Sequence, residues 1–497
     1  MSIGTLLIRA DASVSIGTGH VMRCLALAQT WQDSGGQVVF ASAEITDALR
    51  KRLADERCGV VEISAPVGTS HDVEQTVAAA RERKCDWLVV DGYTFGAQYQ
   101  QKLKAAGLKV LFVDDYGHAP RYFADLILNQ NVTAASDLYA ERETQTKLLL
   151  GTKYCLLRGE FTRWRNWQRE IAPVCRQVLV LMGGSDPGNI TARVIEALAA
   201  KVFEELEITV VVGGSNPNFA MLEKLAPGNI TLKRNVTGMA ELMAAADLVV
   251  SAAGITCWEL CFMGLPALLI DVAENQSPLA RELDRRGCAI HVEGAEVSAD
   301  KIAGEVIRLA GSSELRRSLS QRSRELVDGR GAERIVSVLR GAPTIRLRRV
   351  KADDARLLWE WANDPEVRAS SFSSAPIQWE THAEWFAERS NCKKSLFLIA
   401  EDTEGCAVGQ IRFDLNGCDA ELNVSVAKEK RGLGIGTPLV EGAVSEIWAN
   451  TPCMRVHAFV KPENTSSART FERAGFIRAG VEQVRGNTAV HFVRIRT

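Results

Sequence analysis

The chain has 497 residues, 46% of them hydrophobic and 24% charged, and such values exclude a disordered, collagen-like or low-complexity chain. At roughly 150 residues per domain, that length points to about three domains. Its 59 Lys and Arg balance 61 Asp and Glu, so no basic excess exists to drive polyanion binding by counterion release, and nucleic acid is not an expected partner.

The amino-terminal MSIGTLLIRADAS is too short and too soon charged for a secretory signal. From residue 1 to about 340, short β-branched runs alternate with amphipathic segments, the signal for βα units on parallel sheets. Strands are expected at 5–10, 37–42, 60–64, 87–92 and 109–115. A helix is expected over 20–34, with Val21, Cys24, Leu25, Ala28 and Trp31 on one face and Gly35-Gly36 as its stop. After the polar, aromatic stretch 159–170, a second series predicts strands at 177–184, 207–214, 230–235, 248–253 and 266–272. GGSDPGN at 183 and GGSNPNF at 213 read as one βα unit counted twice.

Within the longest apolar stretch, 248–270, Glu259 intervenes well before 18 residues accumulate, so no membrane span is expected and the protein reads as cytoplasmic. The twelve cysteines form no C-x-x-C pair, and Cys257 and Cys261 have helical spacing without a nearby His. They are expected to be reduced, mostly buried thiols, and no metal site is expected.

A boundary is expected near 342, where RGAPT punctuates the pattern with Gly341 and Pro343. Beyond it come the strand IRLRRV, the helix ARLLWEWAND, an amphipathic segment at 378–388, and the strands SLFLIAE, AVGQIRF and AELNVSV in close succession. A helix from 434, the strand RVHAFV, a helix over 463–474 and two final strands complete the chain. Adjacent strands followed by helices imply an α+β sheet. The fold class expected is therefore α/β, with two Rossmann-like doubly wound domains, 1–158 and 159–341, followed by an α+β domain, 345–497.

Three segments carry chemistry. Gly17-Thr18-Gly19-His20 lies between a strand and a helix start, where unpaired backbone N–H groups and the helix dipole favour an anion such as a diphosphate. His20 in that first turn feels the positive end of the dipole, which disfavours imidazolium and leaves a ring able to take a proton from water. The same glycines also suit a plain tight connection, with His20 a solvated cap. It is neither a Walker loop nor G-x-G-x-x-G. A second strand-to-helix turn, Ser251–Glu259, offers donors at Gly254 and Thr256 and, one turn into the helix, Glu259 as an acceptor for two ribose hydroxyls. Glu274, Asn275 and Gln276 follow after PALLID. Glu259 as a surface acid and Gly254 as a packing residue is the alternative. In the third, Arg431-Gly432-Leu433-Gly434-Ile435-Gly436 opens a helix and fits R/Q-x-x-G-x-G/A, whose amides bind a pyrophosphate.

Residues 1 to about 340 resemble the UDP-sugar hydrolases of pseudaminic acid biosynthesis (PseG type), relatives of the GT-B glycosyltransferases, in RADAS…GTGHVMRC, VVDGY at 89–93, LMGGSDPGN and SAAGIT…E with the following ENQ. That resemblance implies cleavage of UDP from a diacetamido-trideoxy-altropyranose by water, with His20 as base, Gly17 and Gly19 on the leaving diphosphate, and Asp91 and Tyr93 on the sugar side, although Tyr93 also suits a partly buried aromatic. It implies no metal. Residues 345–497 resemble the GNAT acyl-CoA transferases in the glycine loop, in Asn464 of PENTSSARTFERAGF and in the FERAGF ending. The resemblance implies acetyl-CoA as co-substrate, Arg431, Gly432, Gly434, Gly436 and Asn464 as its contacts, and Glu421 as the group drawing a proton from the amine. Glu421 equally suits an edge-strand charge, and Asn464 a helix cap. Many members place an acidic Tyr where this chain has Phe471, leaving water, Ser466 or Ser467, or no dedicated acid, for that step.

The two resemblances together imply successive steps, N-acetylation of a UDP-linked amino sugar and then release of UDP. A GT-B glycosyltransferase fused to another acetyltransferase is the competing expectation, because fold does not fix function. The oligomeric state is not legible.

Overall fold

Apolar runs of four to seven residues, too short for helices and hydrophobic on both faces, are what a parallel sheet covered on each side requires. In the computed structural model the first such runs form β1 (Thr5–Ala10), β2 (Gln37–Ser42), β3 (Gly59–Glu62), β4 (Cys85–Asp91) and β5 (Val110–Val113). Two strands that the sequence pattern did not predict, β6 (Leu126–Asn129) and β7 (Lys147–Leu150), extend the sheet to the order β3-β2-β1-β4-β5-β6-β7. All of its pairings are parallel. The description covers residues 4–13, 16–184, 186, 188–214, 216–234, 236, 238–273, 276–294, 297–341, 345–402 and 405–496.

A second parallel sheet holds β8 (Gln177–Leu181), β9 (Glu207–Val212), β10 (Ile230–Arg234), β11 (Leu248–Ala252), β12 (Ala267–Ile270) and the unpredicted β13 (Ile290–Val292), in the order β10-β9-β8-β11-β12-β13. In each sheet the strand order reverses once, between β1 and β4 and between β8 and β11. Ligands of open α/β sheets bind outside the carboxyl ends of the strands at such switch points. The two glycine-rich turns of the first lobe and the second lobe begin there.

The helix Gly19–Asp33 buries Val21, Cys24, Leu25, Ala28 and Trp31, the face expected for it. Its end is fixed sterically. Gly35 has φ +92°, and a Cβ on Gly36 would lie 2.2 Å from the Trp31 ring nitrogen, which donates to the Gly4 carbonyl. One segment departs from the expected division at 158/159. The helix Gly331–Leu339, assigned by sequence to the second lobe, packs Ala332, Ile335, Val336 and Leu339 into the core of the first, beside Leu6, Val21 and Leu25. Burying each large apolar side chain stabilises by about 1.5–3 kcal/mol, enough to fix where this helix docks.

The chain divides into compact units at residues 1–339 and 340–497. The boundary expected near 342 falls on residues outside those described. In the second unit β14 (Arg346–Arg349), β15 (Ser395–Glu401), β16 (Ala407–Asn416), β17 (Asp419–Val426), β18 (Arg455–Val460), β19 (Ile477–Val484) and β20 (Asn487–Ile495) form one mixed sheet, β14-β15-β16-β17-β18-β20-β19. The helix Gly436–Asn450 covers one face with Leu439, Val440, Ala443, Val444 and Ile447. Among the described residues of this unit, β17 and β18 are the only parallel pair, and they pair only over Asp419–Glu421 and Arg455–His457. Beyond that register they part, leaving a fork.

All twelve cysteines are unpaired, and eight of them are buried. Among the described residues no helix is long and apolar enough to cross a membrane, and no group of three or more His, Cys, Asp or Glu side chains is arranged to hold a metal ion.

Candidate functional sites

His20 enters the first cleft from the first turn of the helix after β1, and Asp91 is the last residue of β4, so the switch point itself sets them side by side. The His20 Nδ1 lies 2.6 Å from Asp91 Oδ1. Arg23, one turn further along the helix, donates to both Asp91 oxygens at 2.7 Å and to Asp115 Oδ1 at 2.7 Å. Burial pushes the Asp91 carboxyl up, but Arg23 and then His20 outweigh it and hold it well below the usual carboxylate range. An ionised Asp91 accepts the Nδ1 proton, so that in a neutral ring the lone pair lies on Nε2. Among the described residues nothing bonds that nitrogen.

The Tyr93 ring meets the His20 ring edge-on at 4.8 Å, and its hydroxyl donates to Asp115 Oδ2 at 2.7 Å. Tyr93 is 37% exposed. Asp91, expected on the sugar side, is 0% exposed, and both oxygens are taken by Arg23, His20 and Cys24. Arg23 and Asp115 were not singled out by sequence. A signal for them existed, since an arginine on the apolar face that carries Cys24 requires a buried carboxylate partner.

The glycine turns of the two lobes meet across this cleft. A Cβ on Gly19 would lie 3.6 Å from the Ile255 side chain, and one on Gly184 3.1 Å from Thr18 Oγ1. Gly17 has φ +80°, a conformation that favours glycine. The backbone N–H groups of Thr18, Gly19, His20, Gly254, Ile255 and Thr256 meet no acceptor among the described residues. Two helix starts therefore present free donors to one space, as anion binding requires. Gln276 is drawn to the same place, its Nε2 within 3.9 Å of the Cβ position of Gly254, while its Oε1 accepts from Val272 N. Glu274 and Asn275 lie outside the described residues. Glu259 is not the open acceptor expected: Arg158 grips it with two bonds of 2.7 and 2.8 Å. Each carboxylate oxygen keeps a lone pair for a further donor. In the 183 and 213 turns, Asp186 caps the helix Ile190–Leu198, and a Cβ on Gly213 would sit 2.1 Å from Gly184 O, so the repeated turns abut each other.

In the second unit, Gly432 and Gly434 have φ +75° and +78°. No acceptor among the described residues takes the N–H of Gly432, Leu433, Gly434, Ile435, Gly436 or Thr437. These amides at a helix start, beside the β17–β18 fork, have the donor set that a pyrophosphate needs. Gly436 is also steric, because a Cβ there would lie 3.1 Å from Thr470. Arg431 does not extend its guanidinium to the loop; it pairs with Asp364 and Glu366 at 2.8 Å and donates to Val426 O. Asn464 spends its side-chain oxygen on capping the helix Thr465–Arg473 through Ser467 N. Glu421 is exposed on β17, at the last paired register before the fork and opposite His457. Phe471 is buried against Phe476 and Phe492. His457, His491 and Asp419, not singled out by sequence, share the Glu421 face of the sheet.

Residues 178–330 match the family model of the glycosyltransferase family 28 C-terminal domain, and residues 344–477 that of the GNAT acetyltransferase domain. End to end, the chain is 24% identical over 497 residues to an uncharacterized protein of Methanocaldococcus jannaschii, which covers 94% of this chain and 95% of that one. The spore coat polysaccharide biosynthesis protein SpsG of Bacillus subtilis is 27% identical over 337 residues, 66% of this chain and 96% of SpsG. The UDP-2,4-diacetamido-2,4,6-trideoxy-β-L-altropyranose hydrolase of Campylobacter jejuni is 27% identical over 288 residues, 57% of this chain and 97% of that enzyme. The chain thus joins a GT-B-like module, similar to hydrolases of a UDP-linked diacetamido sugar, to a GNAT acetyltransferase domain.

Proposed function

We propose that the chain is a bifunctional cytoplasmic enzyme of pseudaminic acid biosynthesis. Residues 345–497 acetylate the 4-amino group of UDP-4-amino-4,6-dideoxy-N-acetyl-β-L-altrosamine. Residues 1–341 then hydrolyse UDP-2,4-diacetamido-2,4,6-trideoxy-β-L-altropyranose to the free sugar and UDP. The observation that carries the hydrolase half is the His20–Asp91 contact in a cleft rimmed by free amides.

In the hydrolase half, Asp91 holds the Nδ1 proton and aims Nε2 at water, which attacks the anomeric carbon from the face opposite UDP. The amides after Gly17 and Gly254 take the charge growing on the diphosphate, and Gln276 and Glu259 lie where the nucleoside binds. Tyr93 walls the sugar side. In the acetyltransferase half, acetyl-CoA is the co-substrate and supplies the acetyl group. The amides of 432–437 bind its diphosphate, Arg431 braces that loop from behind through Asp364, and Glu421 draws a proton from the amine at the fork.

The match to a glycosyltransferase model favours one second reading, transfer of the sugar to an acceptor. Incubating the protein with the UDP-diacetamido sugar alone separates the two. Prompt UDP release into water supports hydrolysis, and release that waits on an added acceptor overturns it. Supplying the amino-sugar nucleotide with acetyl-CoA, and following both products by mass and NMR, tests the order of steps.

A further inference from the structure

Exposed apolar side chains are not scattered over the first lobe. Among the described residues of 1–158, the large hydrophobic side chains left exposed are Ile16, Tyr93, Tyr116 and Leu138, at 37 to 47%. They follow β1, β4, β5 and β6 in turn, so all four belong to loops that leave the carboxyl end of the sheet, where the switch point opens. Among the described residues, the loops at the other end carry none. Apolar surface gathered at one place marks a face that a ligand or partner covers.

Tyr116 is the most exposed of the four, yet its backbone is fixed. Asp114, itself 0% exposed, accepts the backbone N–H of Tyr116 at 3.1 Å and of Gly117 at 3.2 Å through one oxygen, while the Tyr122 hydroxyl donates to the other. The His118 ring lies 6.0 Å from that of Tyr116 and 5.8 Å from that of Tyr93. Gly117, at φ +77°, runs against Leu138, whose carbonyl oxygen would lie 3.1 Å from a Cβ there. A ring held in place before its ligand arrives loses little freedom on binding.

The ring contacts lead from Tyr116 to the imidazole. Tyr116 meets Tyr93 at 5.3 Å and 48°, and Tyr93 meets His20 edge-on at 4.8 Å. If His20 reaches an anomeric carbon through one water, the far side of the pyranose lies a ring width further along this wall. The Tyr93 hydroxyl is already committed to Asp115, so the wall offers mainly carbon. The acetamido groups of the sugar need hydrogen-bond partners when they leave water. Its C6 methyl needs none.

We propose that Tyr116 is a specificity-determining residue of the hydrolase site, its ring receiving the C6 methyl of a 6-deoxy sugar and disfavouring the 6-hydroxy counterpart. The inference rests on the hydrolase reading above. A hydroxyl on C6 would be stripped of water against an aromatic face, and that unmet hydrogen bond is the source of the discrimination.

UDP release by the full-length protein from UDP-2,4-diacetamido-2,4,6-trideoxy-β-L-altropyranose, compared with release from its 6-hydroxy analogue, tests this. The parent is expected to favour the 6-deoxy substrate by about 10²-fold in kcat/KM, the usual reach of an apolar pocket against an added hydroxyl. Tyr116→Ala is expected to bring the ratio below about tenfold, chiefly through a higher KM for the 6-deoxy substrate, with UDP binding by calorimetry unchanged. Tyr116→Phe is expected to restore it. A ratio near one in the parent, or the parental ratio in Tyr116→Ala, overturns the proposal. Loss of UDP binding together with the ratio also overturns it, since the ring would then be serving the fold. A Tyr116→Phe variant as unselective as Tyr116→Ala removes the ring as the reader. If the parent releases no UDP without an added acceptor, the hydrolase reading falls, and calorimetry with the two sugar nucleotides, which needs no turnover, judges the wall. Tighter binding of the 6-deoxy form that Tyr116→Ala abolishes supports it, and equal affinities in the parent overturn it.

Discussion

The two sites use opposite means of placing charge. In the first unit the His20 imidazole is fixed by a buried ion network, Asp91, Arg23 and Asp115, assembled from the ends of one helix and two strands. In the second unit the donors are backbone amides of an exposed loop that pays little into the core, with nothing within 4 Å of the Cβ position of Gly432. A buried network ties chemistry to folding, since removing one partner strands a charge in low dielectric. An exposed loop leaves them separable.

His20→Ala gives the largest expected change, a 10²- to 10⁴-fold loss of UDP-sugar hydrolysis with UDP binding retained. Equal turnover in variant and parent, measured by UDP release, breaks the assignment. Asp91→Ala leaves Arg23 and His20 facing a void, and a stability loss of about 3–5 kcal/mol is expected along with lost hydrolysis; denaturant melts that match the parent sever the link between network and fold. Gly434→Val forces a β-branched residue into φ +78°. It is expected to weaken acetyl-CoA binding at least tenfold by calorimetry while UDP release stays within twofold of the parent, about 1.4 kcal/mol or more on one site alone. Loss of both activities denies that the units act independently.

Acid titration sharpens the same contrast. The Asp91 carboxyl is held below its unfolded value near 4. Its contribution to stability is present above that value and is lost as pH falls toward the depressed folded value. Circular dichroism of residues 1–339 in acid is therefore expected to show the parent losing stability more steeply than Asp91→Asn, and parallel curves contradict this. The smallest effect is expected from Asn464→Ala, which removes a helix cap worth about 0.5–2 kcal/mol and leaves the KM for acetyl-CoA unchanged; a raised KM restores Asn464 as a contact.

Much of this was legible in the sequence where periodicity spoke for itself. The helix face Val21, Cys24, Leu25, Ala28 and Trp31 and the glycine-marked turns needed only local pattern. Strands β6 and β7 escaped because four apolar residues between polar loops give no periodicity to count. Helix Gly331–Leu339 was visible as a helix, but which lobe its Ile335 and Leu339 would join depends on distant residues. Asp91, Arg431 and Asn464 were singled out in the sequence, but the partner of each was left unread. Asp91 turned inward to Arg23, Arg431 to Asp364, and Asn464 to its own helix. The His457–His491 pair lies 34 positions apart on antiparallel strands, and only register could unite it.

The return of the helix Gly331–Leu339 to the first lobe has a consequence for how the gene can be divided. A break near residue 340 would yield two polypeptides, each with its own hydrophobic interior intact. A break near 159 would strip the amino-terminal piece of Ile335, Val336 and Leu339, and neither fragment expressed alone should stay in solution as a well-ordered species, whereas co-expression should restore both.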